Sequence, residues 1–169
     1  MDLTLAAQIA MTLSFVACIA AARWHVAPWL TRRAWADGLV PLLWVHAFRH
    51  VALQIFSAQR SGFGVPDTVR DQIVCGDVIG MLLALMAIFA LRERFRIAIP
   101  LTWIFVLETV IDLANALIAG IHGQLLGAAT GVTWLILTFY VPILWVSLGL
   151  IVWQLLRRPG DLRSAAPSR

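Results

Sequence analysis

The sequence predicts an all-α integral membrane protein, a bundle of about five transmembrane helices, and three observations support this prediction. Hydrophobic residues make up 61% of the 169 residues and charged residues only 13%, with a mean hydropathy of +0.86. A water-soluble domain of this length has a more polar composition. The apolar residues form runs long enough to cross a hydrocarbon core ~30 Å thick. Most arginines lie between these runs, which is typical of a chain that crosses a membrane repeatedly.

Five apolar runs predict the helices. They cover about residues 3–22, 38–58, 68–92, 97–121 and 125–156, and a membrane span needs ~20 residues. The fifth run is too long for one straight crossing, and Pro142 near its middle predicts a kink or a strong tilt. Residues 159–169 form a short polar tail, expected in the cytoplasm. We therefore expect residues 1–169 to form a single transmembrane domain.

The arginines between the runs predict the topology, because positively charged segments stay on the cytoplasmic side. The segment 59–72, around the start of the third run, has only Arg60 and Arg70. We therefore expect an N-terminus outside, a cytoplasmic C-terminus and a location in a bacterial inner membrane. Ten arginines lie in the segments after the first, third and fifth runs: Arg23, Arg32, Arg33, Arg92, Arg94, Arg96, Arg157, Arg158, Arg163 and Arg169.

The residue types exclude several functions. The chain has no lysine, so neither retinal nor pyridoxal phosphate can form a Schiff base with it. Its basic clusters are short and separated by apolar runs, so we expect no nucleic-acid partner. Cys18 and Cys75 lie in different runs without a C-x-x-C pair, which argues against a thiol oxidoreductase. No histidine is expected near Ser147 and no G-x-S-x-G motif occurs, so serine catalysis is not predicted.

Glycines spaced four residues apart predict close helix contacts. Gly76 and Gly80 in the third run and Gly127 and Gly131 in the fifth allow two helix backbones to approach each other. This spacing indicates packing within the bundle or self-association of two copies. The expected partners are therefore the lipid bilayer and either a second copy or a larger membrane complex.

Polar residues within three of the runs form the candidate site. An ionisable group in a membrane span costs ~2.5 to 3.5 kcal/mol, so each one needs a partner or a function. At helical rise, the charged groups lie ~16 to 22 Å from the predicted cytoplasmic ends, so we expect them to converge in one layer. The predicted ligand- or proton-binding cluster consists of His46, Arg49 and His50 from the second run, Asp77 from the third, and Glu108, Asp112 and Asn115 from the fourth.

The charge balance of this cluster predicts a function. Arg49 offsets only one of the three acids Asp77, Glu108 and Asp112, and a low-dielectric environment does not tolerate the excess. Protonated histidines, a bound divalent cation or protonated carboxyl groups would each restore balance. We therefore expect the cluster to bind a cation or a protonatable small ligand for transport or proton transfer. The alternative is a non-catalytic accessory or assembly subunit of a larger membrane complex, in which the cluster only sets helix register.

A third hypothesis is an intramembrane metal-dependent or haem enzyme. His46 and His50 are four residues apart, which puts them on one face of an α-helix, as in zinc sites. The expected divalent-metal ligands are His46, His50, Asp77, Glu108 and Asp112. For haem, either histidine would need an axial partner such as Met81. The sequence alone leaves open whether the protein is an enzyme.

Overall fold

The computed structural model describes residues 2–123 and 125–157, and these residues form helices without a strand among them. A short helix, Leu125–Ala128, precedes the last long helix. The predicted polar tail, residues 159–169, lies outside the described residues. The prediction of five helices that are long and apolar enough to span a membrane is confirmed: α1 is Leu3–Thr31, α2 is Trp35–Arg60, α3 is Asp67–Arg92, α4 is Ala98–His122 and α5 is Gly131–Arg157.

The fifth apolar run is divided between two helices. The short helix ends at Ala128, and α5 begins at Gly131 with a φ of +55°, a value that glycine adopts at little cost. Within α5, a π-helical turn covers Ile136–Tyr140 and ends two residues before Pro142. Proline has no amide hydrogen to continue the α-helical bonding, so an irregular turn at this place has a physical cause.

α2 changes its helical geometry in the middle. It is α-helical over Trp35–Ala47, becomes a 3₁₀-helix over Phe48–Gln54 and returns to α-helix over Ile55–Arg60. The Val45 carbonyl, just before this change in geometry, accepts a hydrogen bond from the Tyr140 hydroxyl on α5 at 2.7 Å. The 3₁₀ segment rotates by ~120° per residue instead of ~100°, which changes which side chains face the core.

The helices α2 to α5 form the bundle, and α1 lies at its edge. α3 packs against both α2 and α4, and α5 packs against α2 and α4. α1 packs mainly against α5 and the short helix. α5 is thus a full member of the core, although the charged residues of the candidate site come from α2, α3 and α4.

The two ends of the bundle differ in packing. The basic end, where the α1–α2 and α3–α4 turns and Arg157 lie, contains the main apolar core, which includes Leu39, Leu43, Ala87 and Ile151. The opposite end contains a smaller cluster around Ile55, Val65 and Leu125. The charged residues of the candidate site lie between these two apolar regions.

Candidate functional site

Arg49 is the centre of the site. Its side chain has 0% solvent exposure, because the 3₁₀ segment directs it into the bundle. Its guanidinium Nε donates a hydrogen bond to Asp77 Oδ1 at 2.7 Å, and its Nη2 donates one to Asp112 Oδ2. Its Nη1 donates to Thr109 Oγ1 at 3.3 Å. One side chain therefore links α2, α3 and α4, through charge-assisted hydrogen bonds that are stronger than those between neutral groups.

Glu108 is the third carboxylate beside Arg49. Its Oε2 lies 3.8 Å from Arg49 Nη1 and accepts a hydrogen bond from the Thr109 hydroxyl at 3.2 Å. Glu108 is thus near the guanidinium charge without accepting a hydrogen bond from it. We call Arg49, Asp77, Glu108 and Asp112 the Arg49 cluster. These four predicted site residues are brought together by the structure.

Two glycines of α3 make room for the Arg49 cluster. A Cβ atom at Gly80 would overlap the position of Arg49 Nη1, and one at Gly76 would overlap that of Asp112 Oδ1. The four-residue spacing therefore has a role inside the chain: it allows polar side chains from α2 and α4 to lie against the backbone of α3.

A cavity of about 100 Å³ adjoins the cluster inside the bundle. Arg49, Asp77 and Asp112 line it, and Phe63 and Leu125 line it near the opposite end. A volume of ~30 Å³ per water molecule gives room for ~3 waters or a ligand of similar size. The remaining lining is mostly apolar, with polar groups from Gln54, Thr133 and Tyr140.

A separate groove of about 570 Å³ lies on the outer face between α3 and α4. Glu108, Asp112 and Asn115 line it together with apolar side chains. Asp112 lines both the groove and the internal cavity. Asn115 lies on the exposed face of α4, so this predicted site residue belongs to the groove and not to the cavity.

The prediction that His46 and His50 lie on one face of a helix is wrong. His46 is fully buried, whereas His50 is exposed. The α-helix ends at Ala47 and the 3₁₀ segment begins at Phe48, so the additional rotation per residue separates the two imidazoles. His50 Nδ1 lies 3.3 Å from the Ala47 carbonyl oxygen of its own helix.

His46 has a different partner, which the sequence did not predict. Its Nε2 lies 3.0 Å from Ser147 Oγ on α5, and its ring packs edge-on against Phe105 with the ring centroids 5.0 Å apart. The expectation that no histidine lies near Ser147 is therefore wrong. The Ser147 hydroxyl also has the Leu144 carbonyl of its own helix as an acceptor, at 3.0 Å. The pair joins α2 and α5, but His46 Nδ1 has no hydrogen-bond partner among the described residues, so the third group that orients the base of an activated nucleophile is not in place there.

The metal-ligand prediction needs correction for the same reason. Within residues 2–123 and 125–157, no group of three or more His, Cys, Asp and Glu side chains is placed to hold a metal ion. His46 packs against Ser147, His50 lies outside, and the three acids surround a guanidinium. For haem, the two histidines are in different surroundings: His46 is enclosed by Phe105 and Ser147, whereas His50 is exposed. The predicted five-residue ligand set of His46, His50, Asp77, Glu108 and Asp112 is not assembled.

Several polar partners were absent from the sequence-based prediction. Thr109 links Arg49 to Glu108, and Thr133 accepts a hydrogen bond from Gln54 Nε2 at 2.8 Å. Tyr140 lines the cavity and donates to α2. Threonine is ordinary in apolar helices, and its contacts depend on the rotation of neighbouring helices, so no local signal identifies it.

The family to which the chain can be matched covers nearly the same residues as the helical bundle. A family profile described as Domain of unknown function (DUF8737) matches residues 6–156. The chain belongs to this family. The matched range contains the Arg49 cluster, the cavity and the outer groove, so all three are within the family domain. No curated protein and no solved structure matches the chain.

Proposed function

We propose that the five helices cross a membrane and that the protein binds a small monovalent cation, or a small ligand that carries a proton, at the Arg49 cluster. The observation that carries this proposal is the arrangement of one buried guanidinium among three carboxylates at the inner end of a cavity. The proposed orientation has the N-terminus outside and the basic end in the cytoplasm of a bacterial cell.

The outer surface supports membrane insertion. Large apolar side chains are exposed on several helices, including Leu13 at 63%, Phe89 at 60% and Leu107 at 64%. Contiguous apolar surface of this kind is unfavourable in water and is typical of contact with lipid. The apolar length of the five helices is sufficient for a crossing.

The charged residues at the two ends support the orientation. At the basic end, the guanidinium of Arg33 lies 4.7 Å from the centroid of the Trp29 ring, and that of Arg157 lies 4.8 Å from the centroid of the Trp153 ring. Arginine and tryptophan both favour the headgroup level, and arginine favours the cytoplasmic side. At the opposite end, the guanidinium of Arg70 is paired with the carboxylates of Asp67 and Asp71 at the start of α3.

Charge balance supports a cationic ligand. If its three acids are ionised, the Arg49 cluster carries two more negative than positive charges, and its carboxylate side chains are only 13 to 19% exposed. Such an excess is costly in a low-dielectric environment. Arg49 binds one oxygen of Asp77 and one of Asp112, which leaves their other oxygens for a ligand. A small divalent ion gives up its hydration shell reluctantly and demands near-ideal ligand geometry, so a monovalent cation is the better fit to this partly enclosed set of oxygens.

The position of the cavity supports uptake from the outer side. The cavity lies between the Arg49 cluster and the opposite end, where Phe63 and Leu125 line it. The main apolar core lies on the other side of the cluster, towards the basic end. In this conformation, a ligand from outside would reach Asp77 and Asp112 and meet a packed core beyond them.

Cation-dependent stability tests this proposal. Thermal unfolding of the purified protein in detergent would be followed in sodium, potassium, ammonium or the bulky N-methylglucamine cation at equal ionic strength. A ligand at 100 times its Kd stabilises by ~2.7 kcal/mol, so at least one small cation should raise Tm relative to N-methylglucamine.

The matched variants are Asp77→Asn and Asp71→Asn. Asp77 is in the cluster, whereas Asp71 is exposed near the start of α3, so only Asp77→Asn should abolish the rise in Tm. If wild-type protein has the same Tm in all four cations, or if both variants keep the full rise, the cluster is not the cation site.

A further inference from the structure

The groove between α3 and α4 is a second place where acidic groups meet apolar surface. Along α4 it extends from Ile104 to Ala119, a length of ~22 Å at helical rise. Its volume of about 570 Å³ is within the ~300 to 1,000 Å³ range of small-molecule sites. Glu108 is the eleventh residue of the 25-residue helix α4, so the acidic part of the groove lies near the middle of the proposed span.

Glu108 is the carboxylate of the cluster that is least engaged by Arg49. Asp77 and Asp112 each accept a hydrogen bond from the guanidinium, whereas Glu108 Oε2 is 3.8 Å from Nη1. Glu108 lines the outer groove and not the internal cavity. The part of the excess negative charge that Arg49 compensates least therefore faces the outer groove.

Charge complementarity identifies the class of occupant. The apolar walls, which include Ile104, Leu107 and Ile111, fit a hydrocarbon body, and Glu108 fits a cationic group. A second copy of the chain does not supply this cation, because Arg49 is the fixed positive charge at this depth in the described spans and it is fully buried. Two copies related by symmetry would also place Glu108 near Glu108.

We propose that the α3–α4 groove binds a lipophilic amine that enters sideways from the hydrocarbon phase, with its protonated nitrogen paired to Glu108. This inference rests on the proposed membrane insertion, and it adds an organic ligand to the small cation proposed for the internal cavity. The apolar body of the amine lies along α4 against Leu107 and Ile111. Asp112, which lines both spaces, separates the amine from the cavity.

Photolabelling of the full chain in phosphatidylcholine nanodiscs tests this site. The probe is a long-chain alkylamine with a diazirine in its chain, and the matched control probe is the corresponding alcohol. The amine should label peptides from α3 and α4 that line the groove, and unlabelled dodecylamine should compete. The alcohol should label these peptides no more than other lipid-facing surfaces.

Two variants and one control test whether Glu108 binds the amine. Glu108→Gln should lower amine labelling of the groove about tenfold or more, the effect of losing a charged hydrogen bond. Leu107→Trp should lower it by filling the groove while leaving the cluster intact. Glu93→Gln changes the other glutamate of the chain, which is exposed in the α3–α4 turn, and should label like wild type.

Equal labelling by amine and alcohol would overturn the proposal, as would undiminished labelling in Glu108→Gln. Cross-linking of Cys75, which lines the groove, between two copies without amine labelling would also overturn it and assign the groove to a dimer. The cation-dependent rise in Tm is measured separately, so it can persist when the groove proposal fails.

Discussion

Replacing Arg49 by glutamine tests how strongly the cluster holds the bundle together. The substitution removes the hydrogen bonds from the guanidinium to Asp77 and Asp112 and the only charge that offsets three acids. Hydrogen bonds to charged groups contribute ~1.5 to 3 kcal/mol each, so two give ~3 to 6 kcal/mol. Breaking a buried ion pair costs ~3 to 5 kcal/mol. We expect Arg49→Gln to lower the free energy of unfolding by ~3 to 5 kcal/mol.

The coupling between Arg49 and each acid follows from the distances. In an Asp77→Asn or Asp112→Asn background, Arg49→Gln should cost less by ~1 to 3 kcal/mol, because fewer unpaired carboxylates remain. In a Glu108→Gln background the recovery should be smaller, since Glu108 Oε2 lies 3.8 Å from the guanidinium without a hydrogen bond. The structure therefore predicts that the coupling energy of Arg49 is larger with either aspartate than with Glu108.

The assay is a double-mutant cycle for each acid, with the free energy of unfolding measured by titrating sodium dodecyl sulfate into detergent-solubilised protein. Each cycle needs four proteins: wild type, two single variants and the double variant. Strict additivity for both aspartates would show that Arg49 is not coupled to them and would refute this description of the site. Stronger coupling to Glu108 than to either aspartate would contradict the observed geometry.

The glycine contacts, the rotation of α2 and the topology can each be tested by changes to the chain. Gly80→Ala should lower the free energy of unfolding by ~1 to 3 kcal/mol because its methyl group overlaps Arg49 Nη1, whereas Gly149→Ala, which meets nothing within 4 Å, should be neutral or slightly stabilising in the same unfolding assay; equal losses would contradict the packing. His46→Ala should lower the free energy of unfolding by at least ~2 kcal/mol, because it empties a buried site. His50→Ala should change it by no more than ~0.5 kcal/mol. A larger loss for His50→Ala than for His46→Ala would contradict the observed geometry of α2. Reporter fusions after residues 30, 65, 94, 122 and 165 should alternate between cytoplasm and outside, and agreement between the first two would exclude the five-span topology.

The long helices were predictable because each arises from a local property of the sequence. An apolar run of ~20 residues indicates a candidate span wherever it occurs, and Pro142 indicated the irregular turn in α5. The 3₁₀ segment of α2 was not predictable in this way. Its sequence from Phe48 to Gln54 contains neither glycine nor proline, and Pro41, which lies inside α2, leaves its first α-helical part continuous.

The depth of the candidate-site residues in the bundle was predictable from the sequence, but the direction of their side chains around the helix axes was not. Counting residues from the helix ends put Arg49 and the three acids in one layer, and the structure brings these four together. Counting cannot show which way a side chain points when the helix geometry changes between residues 46 and 50. Contacts between distant residues, such as His46 with Ser147, also depend on how neighbouring helices are rotated, and the apolar pattern does not encode that rotation.

The excess carboxylate of the Arg49 cluster is proposed to bind a small cation in the internal cavity. The most direct test is anomalous diffraction from crystals of wild-type protein and Asp77→Asn grown in rubidium, a monovalent ion that can be located by its own scattering. Wild-type crystals should show a rubidium peak in the cavity within coordination distance of Asp77 and Asp112, and Asp77→Asn crystals should lack it. A wild-type cavity without such a peak, at a rubidium concentration that raises Tm, would rule out cation binding at the Arg49 cluster.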